Sequence, residues 1–172
     1  MKLSSSLALT LPLLSGYAVA ADLAVKFDIP QLNVAEYHKP YIAIWLEKAD
    51  QSVAGNLAVL YDIKKKDNGG AKWLKDLRQW WRKSGSELTM PMDGVSGATR
   101  STGEQSISFG GVRHGLDKLP AGDYKLVMEA AREGGGRELV RLPVKLPLKA
   151  GQKASARGKE ELGAVSFVVN AQ

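Results

Sequence analysis

Residues 93–102, Asp-Gly-Val-Ser-Gly-Ala-Thr-Arg-Ser-Thr, combine hydroxyl groups with very small neighbours. Gly94, Gly97 and Ala98 leave little side chain to block a close approach to the backbone, and glycine permits the positive dihedrals of a tight loop. Successive amide N–H groups in such a loop can converge on a phosphate, and Arg100 adds a charge-assisted donor beside them. The expected tenant is a phosphorylated ligand, and the expected reactive atom is the Thr99 hydroxyl oxygen. Other constellations carry less. His38 and His114 are the only histidines, and without a carboxylate cluster they read as surface or loop residues and not as metal ligands. Ser96, His114 and Asp117 have the residue types of a hydrolase triad, but the strand-to-helix elbow expected around a G-x-S-x-G serine is missing. No catalytic residue and no metal ligand is assigned, so the chain reads as a carrier or binding module and not as an enzyme.

Residues 93–99 resemble the acceptor motif of covalently flavinylated bacterial proteins, D-x-x-S/T-G-A-T/S. In those proteins a periplasmic flavin transferase moves the FMN half of FAD onto the final Thr or Ser through a phosphoester bond. Carried across by position, the resemblance implies that Thr99 holds FMN. Asp93, Ser96, Gly97 and Ala98 would be read by the transferase or shape the loop, with Arg100 next to the phosphate. Five specified positions predict a chance match on the order of once per thousand chains of this length. Outside the motif, the chain does not resemble the FMN-binding domain of sodium-pumping quinone reductase subunits, where the motif is best known.

The chain has 172 residues, no cysteine and a formal charge of +6, which is long enough for one domain with a real core. Its opening places Lys2 before an apolar centre at residues 7–14 and a small-residue end at Ala18-Val19-Ala20. These are the parts of a secretory signal peptide cleaved after Ala20. The expected organisation is therefore a signal peptide over residues 1–20 and a single β-sandwich domain over 21–172. Pro12 and Gly16 interrupt an apolar run already too short to span a bilayer, so no membrane-spanning segment is expected. Removing residues 1–20 takes away one charge, Lys2, and leaves +5. A basic exported protein meets anionic headgroups, acidic partners or a flavin phosphate, and nucleic acid is not an expected partner. The lack of cysteine excludes disulfides, C-x-x-C-H haem attachment and thiolate metal sites. Redox chemistry here needs an added cofactor.

The elements that must position the motif are mostly strands. Residues 23–29 alternate apolar and other side chains and stop at Pro30, as a half-buried strand does. Residues 41–47, Tyr-Ile-Ala-Ile-Trp-Leu-Glu, form a more continuous apolar run, expected of a central strand. With residues 55–63 these three predict a meander. Between Asn68-Gly69-Gly70 and Gly85, Trp73, Leu74, Leu77, Trp80 and Trp81 fall at positions that share one helical face, with Lys72, Lys75, Arg78, Arg82 and Lys83 on the others. One amphipathic, basic helix packed across a sheet is the expectation, and its tryptophans could wall a flavin. Lys64-Lys65-Lys66 reads as a solvated turn. The motif follows in a loop or strand edge, then residues 105–109 alternate. Glycine turns separate strands at 122–129 and 138–144, Pro143 and Pro147 mark the latter as an edge, residues 149–159 read as polar and flexible, and 163–169 is a last strand. Seven or eight short strands with turn signals predict a mostly β fold, an immunoglobulin-like β-sandwich with one inserted amphipathic helix.

Residues 119–129, Leu-Pro-Ala-Gly-Asp-Tyr-Lys-Leu-Val-Met-Glu, resemble the "lPaGtYtl" hairpin of immunoglobulin-like domains such as that of the flagellar hook-capping protein. The order of signal peptide, PYIAIWLE strand, Trp-rich segment, DGVSGATR and PAGDYKLVMEAAREGGGRE is similar to a family of predicted periplasmic proteins classed as domain of unknown function 2271. Members of that family are associated with flavin transferase and membrane reductase systems. The resemblance implies a periplasmic, FMN-bearing electron-transfer protein whose partners are a flavin transferase and a membrane or periplasmic redox protein. Two other expectations come from the residues: a non-redox binding or assembly module using the hairpin and the basic tryptophan helix, and a membrane-surface adaptor whose vesicle binding would disappear with salt.

Overall fold

The structure, a computed structural model, describes residues 21–171; the expected signal peptide at 1–20 lies outside the described residues. Among the described residues, strands hold 46% and helical turns 15%, so this part of the chain is mostly β. Nine strands, β1 (Ala21–Ile29), β2 (Tyr41–Glu47), β3 (Val53–Tyr61), β4 (Ser96–Ala98), β5 (Gly103–Gly110), β6 (Gly122–Ala131), β7 (Arg137–Leu146), β8 (Lys153–Arg157) and β9 (Ala164–Ala171), form two sheets. Their orders are β5-β1-β9-β8 and β4-β3-β2-β6-β7.

The first sheet turns one face inward. In β1, Leu23, Val25, Phe27 and Ile29 are buried while Lys26 is exposed, the period-two pattern of a one-sided strand. They pack with Ile42, Ile44 and Leu46 of β2 and with Leu126, Met128 and Leu142 from the second sheet. The second sheet is covered on both faces, which is why β2 reads as a continuous apolar run. Ala43, Trp45, Val59, Tyr61 and Val127 face away from the main core and meet Leu74, Leu77 and Trp80 in a second one.

Three sequence expectations are corrected. The meander fails because β1 pairs with β5 and β9, whereas β2 pairs with β3 and β6; residues 30–40 carry the chain from one sheet to the other. The single helix is broken into a 3-10 segment (Lys66–Asp76) and a six-residue helix α1 (Arg78–Lys83), with Leu77 between them at φ −74°, ψ 68°. Tertiary contacts fix that break: the buried Glu129 carboxylate accepts from the amides of Gln79 (3.0 Å) and Trp80 (2.8 Å), which the first turn of α1 cannot satisfy itself. Its charge is balanced by Arg137 at 2.8 Å. Finally, β8 occupies what reads as a flexible linker. Its inward residues are only Ala154 and Ala156, too small to give a strand signal among exposed Lys153, Ser155 and Arg157. The edge position expected for β7 is borne out.

The cap formed by the 3-10 segment and α1 is tied down at two further points. Gly70 is buried against β3's exit, and a Cβ there would collide with the Asp62 carbonyl oxygen. Gly70→Ala should therefore cost about 1–3 kcal/mol in urea unfolding, because backbone and not a movable side-chain tip must give way. At the other end, Glu47 is fully buried between Arg141 (3.1 Å) and Lys83 (3.0 Å), and Trp45 Nε1 donates to it at 3.2 Å. Lys83 also donates to the Gln51 carbonyl oxygen.

Burial pushes the Glu47 carboxyl up, but the hydrogen bonds and charges of Arg141 and Lys83 outweigh it and hold it below its ordinary value. Glu138 is also depressed: burial again pushes it up, and the amides of Leu162, Lys159 and Glu160 more than offset this. A carboxylate with a lowered folded-state pKa stabilises fully above its unfolded value and loses that contribution as pH falls through the folded one. Stability to urea should accordingly be level between about pH 7 and 5 and fall below about pH 4.5, more steeply in the parent than in Glu47→Gln. An unchanged acid slope in that variant would remove Glu47 from the explanation.

Candidate functional site

The motif runs along the free edge of β3. β4 pairs with it in parallel, with Val59, Leu60 and Tyr61 opposite Ser96, Gly97 and Ala98. Val59 N donates to Val95 O at 2.9 Å and Thr99 N to Tyr61 O at 3.2 Å. At the entrance, Met92 O accepts from Val95 N (3.2 Å) and Ser96 N (2.8 Å), and Ser96 Oγ accepts from Met92 N at 2.9 Å. Asp93 Oδ1 accepts from Gly94 N at 3.0 Å, and Gly94 takes the left-handed φ of +71°.

This geometry corrects the expected phosphate cradle. The amides of Gly94, Val95, Ser96 and Thr99 are all committed to acceptors within the protein, so the segment is a short edge strand entered by a tight turn and not a loop of free donors. Gly97 serves packing: a Cβ would lie 2.9 Å from Leu60 Cδ2. Ala98 and Arg100 are exposed, Ser96 and Thr99 half-buried.

The two ends of the motif face different clefts. Asp93, Gly94 and Val95 line one of about 380 Å³ with Asn56, Arg113 and His114. Thr99 lines another of about 400 Å³ with Tyr37, His38, Tyr41, Lys65, Trp73 and Glu133. Among the expected site residues, then, the structure brings Thr99 alone to the aromatic cleft. Arg100 lies beside it in the chain.

Three elements build that cleft. Tyr37 and His38 come from the 30–40 connection, Tyr41 starts β2, and Trp73 sits on the 3-10 segment whose Leu74 is buried in the second core. Tyr41 stands edge-on to Tyr61 at a centroid distance of 6.2 Å. Burial raises its phenol pKa despite the opposing Asp62 backbone hydrogen bond. Burial likewise raises Tyr37, against the pull of Arg132. Both phenols are therefore neutral donors at physiological pH. Next to Glu133 in the chain, Arg132 pairs with Glu161 through two contacts of 3.0 Å.

His38, in the 30–40 loop as expected, contacts Glu36 at 3.2 Å and Glu133 at 4.0 Å and lines the cleft. His114 Nδ1 is 3.1 Å from Gly110 O, and its ring is edge-on to Phe109. The two histidines line different clefts. No group of three or more histidines and carboxylates able to hold a metal occurs among the described residues. The basic tryptophan face is also redistributed: Trp80 is fully buried, Trp81 is half-buried and Trp73 is 37% exposed. Sequence periodicity missed Tyr37, Tyr41 and Trp73 as a set, because what joins them is the crossing of three elements.

The sequence profile of the predicted periplasmic protein family DUF2271 matches residues 22–164. The chain belongs to this family. The DUF2271 match runs through β8, so it includes the whole motif and both clefts. No curated protein and no solved structure matches the chain. In this DUF2271 protein no helix among the described residues is long and apolar enough to cross a membrane.

Proposed function

We propose that this DUF2271 protein is an exported electron carrier bearing FMN bonded through its phosphate to Thr99. The observation that carries the proposal is the half-buried Thr99 on the wall of an aromatic cleft, at the end of a segment with the flavinylation pattern. The bonds balance as a phosphoryl transfer from FAD on a flavin transferase. A P–O bond forms between Thr99 Oγ1 and the FMN phosphorus, the phosphoanhydride breaks, AMP leaves, and the hydroxyl proton passes to the transferase or solvent. The flavin, once attached, supplies one- and two-electron chemistry; the protein supplies attachment, orientation and surroundings.

The residues present fit that group. Thr99 offers the acceptor oxygen on an accessible edge strand, and the motif's committed amides leave no cradle to hold a phosphate without a bond. Covalent attachment is thus the retention mode that the backbone favours. Asp93, Ser96, Gly97 and Ala98 would act before attachment: Ser96 and Gly97 by setting the strand against β3, Asp93 and Ala98 as exposed marks for the transferase. Arg100, exposed and next in the chain, would supply a cation for the phosphodiester.

Export through the signal peptide and a donor or acceptor in the membrane or periplasm belong to the same proposal. So does an immunoglobulin-like character for the two-sheet scaffold, supported by Tyr124 Oη donating to Pro120 O at 2.9 Å. That bond reproduces the corner that a tyrosine makes in such domains.

Production of the full chain with and without a flavin transferase tests the proposal. Flavin absorbance that survives denaturation should appear only with the enzyme. A colourless protein in both cases would favour a binding or assembly module instead.

A further inference from the structure

We infer that the cleft formed by Tyr37, Tyr41 and Trp73 beside Thr99 is a built seat for a flat aromatic ring, the isoalloxazine of the FMN. This inference rests on the tether at Thr99 for its ligand. Its physical warrant is separate.

Three of the eleven residues lining the cleft are aromatic, in a chain where Phe, Trp and Tyr together make up 7%. They come from three elements, so no local sequence pattern forces them together. Two of them have visible support. Tyr41 is braced by Tyr61, and Trp73 lies between Gly70, packed on the Asp62 backbone, and the buried Leu74 and Leu77. Trp73 nevertheless remains 37% exposed, so a ring laid on it removes apolar surface from water. Tyr37 adds a second aromatic wall, with its hydroxyl buried and the charges of Arg132 and Glu161 acting on it from behind. The volume, about 400 Å³, lies at the lower end of the roughly 300–1,000 Å³ typical of cofactor clefts.

The charges around the ring are mixed. His38, Lys39 and Lys65 share the lining with Asp62, Asp76 and Glu133. Such a cleft does not collect anions in general, and stacking must supply the selectivity for a flat ring. A tether at Thr99 raises the local ring concentration to about the millimolar range, so a seat with millimolar affinity is filled.

The test uses two measurements that fail separately. Unmodified full-length protein labelled with ¹⁵N is titrated with free FMN, up to about 10 mM, the scale a tether would supply. Shift changes should concentrate at Tyr37, Tyr41, Thr99 and Trp73, the Trp73 indole included. Stacking of a base on one aromatic ring is worth about fivefold to a hundredfold in affinity, so Trp73→Ala should weaken binding about fivefold or more while peaks outside the cleft stay in place. Tyr37→Ala, which removes the other wall, should weaken it as well. Intact mass after co-production with the transferase reports the tether alone. Shifts at the cleft without an adduct uphold the seat and refute the tether. An adduct without such shifts, or binding indifferent to both variants, refutes the seat and leaves the tether standing.

Discussion

Thr99→Ala, exported in cells making a flavin transferase, should carry no flavin at all, while Thr99→Ser should retain it. The effect is all-or-none because one hydroxyl oxygen is the proposed acceptor, and serine presents the same atom without the methyl group. Ser101→Ala and Thr102→Ala are the necessary controls. Both hydroxyls lie within three residues of Thr99, but only Thr99 among them reaches the aromatic cleft. Full labelling in both controls, with none in Thr99→Ala, is the expected set by intact mass and by absorbance of denatured protein. Labelling that persists in Thr99→Ala would move the tether elsewhere. The variant should also fold normally, since Thr99 is half-buried and its backbone bond to Tyr61 does not use the side chain.

The largest stability effect is expected at Trp80. Its side chain is fully buried, its Nε1 donates to Asn56 Oδ1 at 2.8 Å, and its amide donates to Glu129 at 2.8 Å. The indole lies so close to Gly85 that a Cβ there would approach the ring to 2.6 Å. Trp80→Ala should cost about 3–5 kcal/mol through lost burial and the cavity left behind, a large part of the roughly 5–15 kcal/mol that holds a domain together. The urea midpoint should fall by about 2 M with little change in slope. A midpoint within about 0.3 M of the parent would mean that the cap does not depend on this ring. The same substitution should loosen the 3-10 segment that carries Trp73, so any ring seat should weaken with it. A binding test built on Trp80 would thus report folding, whereas Trp73 reports the surface.

The pieces legible in the sequence were those in which one strand's own pattern decides its environment. β1 alternates because one face meets solvent, and β2 runs apolar because both faces are covered. Pro143 marked β7 as an edge for a local reason, its missing N–H. Strand pairing was not legible: β1 and β2 adjoin in sequence, yet they belong to different sheets because the 30–40 connection passes from one sheet to the other. The tryptophan segment has helical periodicity, but the Glu129 carboxylate and the close packing of Gly70 decide where the helix begins. β8 was hidden by alanines that satisfy a narrow inward space without a hydrophobic signal.

At the candidate site, the sequence reading of residues 93–99 as a phosphate cradle misjudged the segment's form. Gly97 and Ala98 read as part of a tight loop or strand edge with room for a phosphate, whereas Gly97 permits close packing against Leu60 within a paired edge strand. Asp93 and Thr99, six residues apart, were grouped as one site, but an extended strand sends them to separate clefts. The tryptophan segment was read as a possible wall, but Tyr37 and Tyr41 were missed because their convergence with Trp73 depends on tertiary structure. His38, read as a surface or loop residue, lies in the 30–40 connection, with Glu36 two residues away and Glu133 across the cleft.

Tandem mass spectrometry of the protein recovered from the periplasm of its own cells tests the attachment most directly. The account predicts a peptide spanning residues 93–102 heavier by one FMN less one water, with fragment ions that assign the added mass to Thr99. The same peptide recovered wholly unmodified from cells that contain an active flavin transferase, or modified at a different residue, would contradict it.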